Sequence, residues 1–350
     1  MQNIKLENKF IGPNKKPFII AEMSGNHNQS LERALEIVRA VAETGADALK
    51  LQTYTADTMT LDHEGSDFKI SESNSLWKGK SLYELYDEAH TPWDWHKPIF
   101  ELGRSLGLIV FSSPFDSTSV DFLETLNVPC YKIASFEITD LSLIEYVASK
   151  KKPMIMSTGM ATNNEIRDAV NAATSNGCSE LILLKCTSAY PATAEDANLN
   201  TIVDIKKNFK CNVGLSDHTK GIGVAVASIV LGASVIEKHF TLDRNDGGVD
   251  SEFSMEPDEM KQLVDETQKA WSSLGDVSYG PTKSEENSLR FRRSLYIVKD
   301  LQTGDILSEQ NIKSIRPGYG IAPKYLKDII GKKVTKNIKK GTAFNWKLIR

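Results

Sequence analysis

No stretch of about 18 apolar residues occurs in the 350-residue chain, so no membrane span is expected. The opening residues, MQNIKLENKFIGPNKKPF, lack the apolar core of a secretory signal. Only four cysteines are present, Cys130, Cys178, Cys186 and Cys211, and no two form a CxxC pair. So few, so far apart, make neither a disulfide framework nor a zinc cluster, and a reducing, cytoplasmic setting is expected. A strong overall charge is also missing. The formal net charge of −4 excludes a molecule drawn as a whole to nucleic acid. What is present, 40% hydrophobic and 25% charged residues, is globular composition and excludes an intrinsically disordered chain.

The charge is uneven along the chain. Residues 290–350 hold 15 Lys and Arg against four Asp and Glu, so the remainder is acidic. A basic tail of this size is a solvated surface, a nucleic-acid contact, or a cover for an anionic ligand held elsewhere.

Eight short apolar runs recur through the first part: FIIAEM (18–23), ALKLQT (48–53), LIVFSS (108–113), CYKIAS (130–135), PMIMST (153–158), LILLKC (181–186), NVGLSD (212–217) and VIEKHF (235–240). Each is nearly continuous rather than alternating, as strands buried on both faces in a parallel sheet require. Helical patterns lie between them. From Ser30 to Glu43, Leu31, Ala34, Leu35, Val38, Val41 and Ala42 share a face. Thr162 and Glu165 have capping-box spacing. Residues 222–231 read as a tightly packed apolar helix, and Pro257 and Asp258 open another towards Leu274. Strand and helix repeated eight times predict a (β/α)8 TIM barrel over 1–275. The alternative, an open doubly wound sheet, needs a crossover and usually fewer strands. Residues 1–17 are expected to form a turn or hairpin closing the barrel's bottom. The long polar connection 55–81 follows a strand's C-terminal end, where a lid is expected. Residues 276–289 read as a linker. In 290–350, KDLQTGDILSEQNI (299–312) and KNIKKGTAFNWKLI (336–349) match at an offset of 37 residues, which predicts a small pseudo-symmetric β-rich domain.

In such barrels the active site lies at the C-terminal ends of the strands. Polar residues crowd there. Lys50, Lys132, Lys185 and Lys238 are among them, and Lys50 and Lys132 with Ser113, Ser135, Ser157 and Ser216 read as a site for a phosphate or carboxylate. Of six histidines, His218 (LSDHT) and His239 (EKHFT) end adjacent predicted strands. Neutral imidazoles so paired suit a divalent metal with open positions for water and substrate. His63, His90 and His96 read as surface or packing residues, and His27 is ambiguous beside Glu22.

The motifs IIAEMSGNHN, ALKLQTY, YKIAS, STGM, GLSDHT, EKHFT and RPGYG resemble those of the bacterial sialic acid synthases, over nearly the whole chain. AEMSGNHNQS with LKLQTYTADTMT is most similar to that family's pseudaminic acid branch, and the tail resembles its antifreeze-like (SAF) domain. The resemblance implies condensation of phosphoenolpyruvate with a C6 amino sugar and water. The products are a nine-carbon 2-keto acid and phosphate. For this branch the sugar is 2,4-diacetamido-2,4,6-trideoxy-altrose. It implies Mn2+, Co2+ or Mg2+ on His218 and His239. It implies phosphoenolpyruvate on Lys50, Ser113, Lys132, Ser135, Ser157, Ser188 and Ser216, and Glu22, with Glu137, as catalytic carboxylate. It implies sugar contacts from Gln52, Tyr190 and Asp250. Arg316 is implied to reach the partner's sugar site in a domain-swapped homodimer, with neither nucleic acid nor membrane as partner. CTSAYP places Ser188 where neuraminate synthases commonly carry Asn. The alternatives are a neuraminate or legionaminate synthase, a Schiff-base aldolase using Lys132, Lys185 or Lys238, and a non-catalytic sugar- or ice-binding protein.

Overall fold

The computed structural model describes residues 2–71 and 77–350. The chain divides into two compact units, Met1–Gly275 and Asp276–Arg350.

The first unit opens with an antiparallel hairpin of β1 (Ile4–Leu6) and β2 (Lys9–Ile11). A closed barrel follows, with β3 (Phe18–Glu22), β4 (Ala48–Thr53), β5 (Ile109–Pro114), β6 (Tyr131–Ile133), β7 (Met154–Ser157), β8 (Leu181–Cys186), β9 (Asn212–Ser216) and β10 (Val235–His239). They run in sequence order, and β10 pairs with β3 to close the ring. All eight expected strands are present. After β3 comes α1 (Leu31–Thr44), and after β4 come α2 (Ala56–Met59), α3 (Leu82–Ala89) and α4 (Trp93–Ser105). The later strands are followed in turn by α5 (Ser117–Thr125), α6 (Leu141–Ser149), α7 (Asn163–Ser175), α8 (Asn200–Phe209), α9 (Gly223–Val230) and α10 (Pro257–Ser273).

Local chemistry sets these bounds. Ser30 caps α1 by accepting from the Arg33 amide, and Gly45 ends it in the left-handed region at φ 83°. Thr162 and Glu165 form the expected capping box on α7. Less of α9 is enclosed than its composition implies. It buries Ala225, Ser228 and Ile229, while Val230 is 63% exposed, because a helix of the outer ring turns one face to the barrel.

Two apolar layers result. Residues on the outer face of the strands pack against the helices. The inner layer includes Phe18, Ile20, Ala48, Ile109 and Val235, joined by Ile4, Leu6 and Ile11 of the hairpin. The hairpin therefore plugs the N-terminal end, leaving the C-terminal end to polar residues.

The described residues of the connection 55–81 include regular structure. They hold α2 and a 3-10 turn at Ser66–Phe68. Ile70 and Lys80 then meet, with Ile70 N donating to Lys80 O at 3.0 Å. Residues 72–76 of the expected lid lie outside the described residues.

In the second unit, 276–288 are exposed. β11 (Ser294–Ile297) then pairs antiparallel with β12 (Ile312–Ile315). The sequence echo is a two-fold in space. Leu301 and Ile338 exchange both backbone hydrogen bonds at 2.8 Å. Gly304 N donates to Val334 O at 2.9 Å, and Gly341 N to Ile297 O at 2.8 Å, each bond being the other's image at the 37-residue offset. Both glycines have positive φ, 92° and 86°, which the repeated turn requires.

Candidate active site

Residues two apart on a strand share a face. Apolar residues fill the inward rows near the barrel's bottom. Towards the top those rows continue as Glu22, Lys50, Ser113, Lys132, Ser157, Cys186, Ser216, Glu237 and His239. Most of these line a cavity of ≈ 430 Å3, together with Gln52, Ser135, Glu137, Tyr190, His218 and Asp250.

Its floor is a compact charge cluster. Lys50 is ion-paired with Glu22 and lies 3.7 Å from Glu237 Oε1, while Lys132 lies 3.4 Å from the same oxygen. Ser216 Oγ donates to Glu237 Oε1 at 3.3 Å, and Lys50 Nζ donates to Ser113 Oγ at 3.4 Å. Burial raises the pKa of Glu22, partly offset by Lys50, and Glu237 raises it further. In Glu237 burial acts the same way, but Lys132, Lys50 and His218 outweigh it and hold its pKa below the usual value. The two carboxyls are thus driven apart, one towards a proton carrier and one towards a fixed anion.

Above the floor, Gly159 N donates to Ser135 Oγ at 3.1 Å. A Cβ at Gly159 would fall 2.3 Å from Ser188 Oγ and 2.7 Å from Ser135 Oγ, so only glycine lets the two hydroxyls flank this backbone. Ser157 Oγ, Glu137 Oε2, Glu237 Oε2 and His239 Nδ1 are buried without a hydrogen-bond partner, and all four residues line the cavity. Buried polar groups are ordinarily satisfied, so this concentration marks a ligand-shaped space. On one side Gln52 Nε2 donates to Ser24 Oγ at 3.2 Å, and Ser24 donates to Asp250. Tyr190 packs on His218 with ring centroids 4.6 Å apart.

Burial raises Glu137 to about 7, against the pull of its own backbone amide and Lys132. From its ordinary value of 4.5 up to about 7 the folded protein holds this proton longer than the unfolded chain does. Stability therefore falls as pH rises through that window, by up to about 3 kcal/mol. Glu137→Gln should remove this component of the slope, so that denaturant melts at pH 5 and 8 differ less than in the parent. An unchanged slope would mean that Glu137 ionises freely.

The fit of the histidines to a metal rests on their donor chemistry. His239 is buried, and burial, followed by the positive charge of His218 and nearby lysines, keeps its pKa far below normal, hence a neutral imidazole. Its Nδ1 has no hydrogen-bond partner and lies 3.6 Å from Asp250 Oδ2. His218 Nδ1 is 2.9 Å from the Thr187 carbonyl, which orients the ring and leaves Nε2 available. Burial opposes a proton on His218, but Cys186 and the Thr187 carbonyl outweigh it and raise its pKa. The ring centroids are 5.3 Å apart. No group of three or more His, Cys, Asp or Glu among the described residues is arranged for a metal ion. The two nitrogens fit an ion completed by substrate and water.

Some expected positions are corrected. Lys185 and Lys238 sit on odd registers and face out of the barrel. Lys185 Nζ donates to Thr187 Oγ1 at 2.9 Å, and Lys238 is buried against Asp217 Oδ2 at 2.9 Å and the Thr219 carbonyl at 2.6 Å. Neither lines the cavity, which removes two of the three lysines considered for a Schiff base. His96 packs on Thr53 as expected, with Nε2 and Oγ1 2.8 Å apart, and the ambiguous His27 meets Thr91 at 3.2 Å, also as a packing residue. Arg316 is exposed in the C-terminal unit, in the loop after β12. Glu237 and Cys186 were missed as site residues. The signal for Glu237 was its place two residues before His239 on the same face.

The chain matches the NeuB family model over residues 37–279 and the SAF domain over 292–350. It is 46% identical to the pseudaminic acid synthase of Campylobacter jejuni strain 81-176, over 94% of this chain and 95% of that protein. Identity to an N,N'-diacetyllegionaminic acid synthase of Legionella pneumophila is 39%, over 95% of this chain and 94% of that protein. Among solved structures, an N-acetylneuraminic acid synthetase from Leptospira borgpetersenii superposes with a TM-score of 0.73 at 33% identity, covering 83% of this chain and 96% of that one. Barrel, tail domain and relatives agree: the chain belongs to the NeuB family.

Proposed function

We propose that this protein is a pseudaminic acid synthase. It condenses phosphoenolpyruvate with 2,4-diacetamido-2,4,6-trideoxy-β-L-altropyranose and water, giving pseudaminic acid and phosphate. The observation that carries the reading is one cavity holding a two-lysine, two-carboxylate floor beside a histidine pair. The 46% identity to pseudaminic acid synthases, against 39% to the legionaminic acid synthase, supports this branch.

Lys50 and Lys132, with the hydroxyls of Ser113, Ser135, Ser157, Ser188 and Ser216, bind and orient phosphoenolpyruvate. A divalent ion held by His218 and His239 would supply Lewis-acid polarisation of the sugar's aldehyde. Gln52, Tyr190 and Asp250 hold the sugar so that carbon 3 of phosphoenolpyruvate bonds to the aldehyde carbon, whose oxygen takes a proton. Water then adds at carbon 2 and gives its proton to a carboxylate, Glu22 or Glu137. The new hydroxyl on carbon 2 gives up its proton as the bond from carbon 2 to the bridging oxygen breaks, leaving the 2-keto group, and phosphate departs with that oxygen and the proton. The reading extends to a homodimer in which Arg316 completes the partner's sugar site, supported by the motif resemblance. No helix among the described residues is long and apolar enough to cross a membrane, and a cytoplasmic enzyme is proposed.

Phosphate release should require both phosphoenolpyruvate and the diacetamido sugar, across a panel of amino sugars. In 18O-labelled water the released phosphate should carry no solvent label. Solvent oxygen in the phosphate would mean attack at phosphorus and would overturn this mechanism.

A further inference from the structure

The cavity is polar at its floor, and the segment between β4 and α4 gives it a mainly apolar lining that also carries the Tyr54 and Tyr86 rings. The chain between β4 and α4 supplies Met59 from α2, Ile70, and Leu82 and Leu85 from α3; Phe115 and Val249 extend the same lining. Met59, Ile70 and Leu82 are only half-buried, so their side chains keep surface open towards the cavity. Apolar side chains left open over a charged floor cost stability unless a ligand covers them.

The reacting end of the sugar is fixed by the floor. Its aldehyde carbon must come within reach of the histidines and of phosphoenolpyruvate on Lys50 and Lys132. Asp250 and Tyr190, the polar groups beside that position, sit 3.6 Å from His239 and against the His218 ring. Carbon 6 is the far end of the same carbon chain, so it points away from these groups. We infer that the apolar wall of Met59, Ile70, Leu82 and Leu85 receives carbon 6 and selects a sugar ending in a methyl group over one ending in a hydroxymethyl group. This rests on the proposed synthase reading. A methyl there covers apolar surface, whereas a hydroxyl gives up water and finds no donor or acceptor on those four side chains.

The test uses two diacetamido sugars that differ only at carbon 6, competing for the full-length enzyme, with phosphate release as readout. The parent should prefer the 6-deoxy sugar by roughly ten- to two-hundredfold in kcat/KM, the range a hydrophobic pocket achieves. Met59→Gln with Leu82→Gln should cut that preference at least about tenfold, leaving the KM for phosphoenolpyruvate unchanged, while Met59→Leu keeps the preference. Ile70→Thr, outside any helix, is a second variant should the double change fail to fold. Equal turnover of the two sugars by the parent, or a folded variant with the parent's ratio, would overturn the inference and leave the synthase reading standing. Phosphate release with neither sugar would instead overturn the synthase reading. Calorimetric binding of the same two sugars then decides the inference, preferential 6-deoxy binding supporting it and equal binding overturning it.

Discussion

Lys132→Met should lower kcat/KM for phosphoenolpyruvate by roughly a hundred- to several-thousandfold and also lower the melting temperature. Lys132 is almost wholly buried, with Nζ 3.4 Å from Glu237 Oε1. Burial pulls its pKa down and Glu237 pulls it back up, so carboxylate and ammonium sustain each other. Breaking one side of a buried pair costs about 3–5 kcal/mol, because the other charge is left uncompensated. Glu237, left with Lys50 alone, also repels phosphoenolpyruvate from the same spot; losing a buried charged partner of a bound ligand costs about 2–5 kcal/mol, and at 1.4 kcal/mol per decade the rate loss follows. Two controls separate binding from folding. Adding Glu237→Gln to Lys132→Met should restore much of the stability but little of the activity. Lys238→Met, outside the barrel wall and paired with Asp217, should lower stability while folded protein keeps its KM for phosphoenolpyruvate. A Lys132→Met enzyme with the parent's KM and kcat would remove Lys132 from the anion site.

The contrast between Lys132 and Lys238 marks where the sequence was legible. Eight apolar runs carried the barrel, because a strand buried on both faces leaves little choice of residue, and the hairpin and tail symmetry were readable for similar reasons. Which polar residues face inward is a question of parity. Counting by twos from Ile20, Ala48 or Ile182 assigns Glu22, Lys50 and Cys186 inward and Lys185 outward. Treating every polar residue near a strand end as part of the mouth lost that distinction for Lys185 and Lys238. Parity puts Glu237 on the face of His239, but its role is not legible, because nothing in the sequence pairs it with Lys50 and Lys132 across the barrel. The apolar wall was not legible, since Met59 and Ile70 come from a polar connection with no period and join Leu82 and Leu85 of α3 only in the fold.

Chelation should abolish turnover, and Mn2+, Co2+ or Mg2+ should restore it. Two protein nitrogens leave an ion partly held by water and substrate, so a chelator competes well for it. Polarisation of the aldehyde is worth several kcal/mol, so loss of the ion should cost on the order of a thousandfold or more. His239→Ala should do the same without unfolding the barrel, because its Nδ1 makes no hydrogen bond within the protein whose loss would be felt. His218→Ala should lose activity equally but also free Tyr190, whose ring leans on His218. The sugar KM should therefore rise in any residual activity. Mn2+ binding followed by calorimetry reads the site independently of turnover, and each alanine variant should lose it. Substituting His96, buried on the outer face against Thr53, should leave Mn2+ binding intact, so the effect is not one of histidine removal in general. Full activity of protein shown to be metal-free, or undiminished Mn2+ binding by the His218→Ala, His239→Ala double variant, would remove these two residues from the metal site.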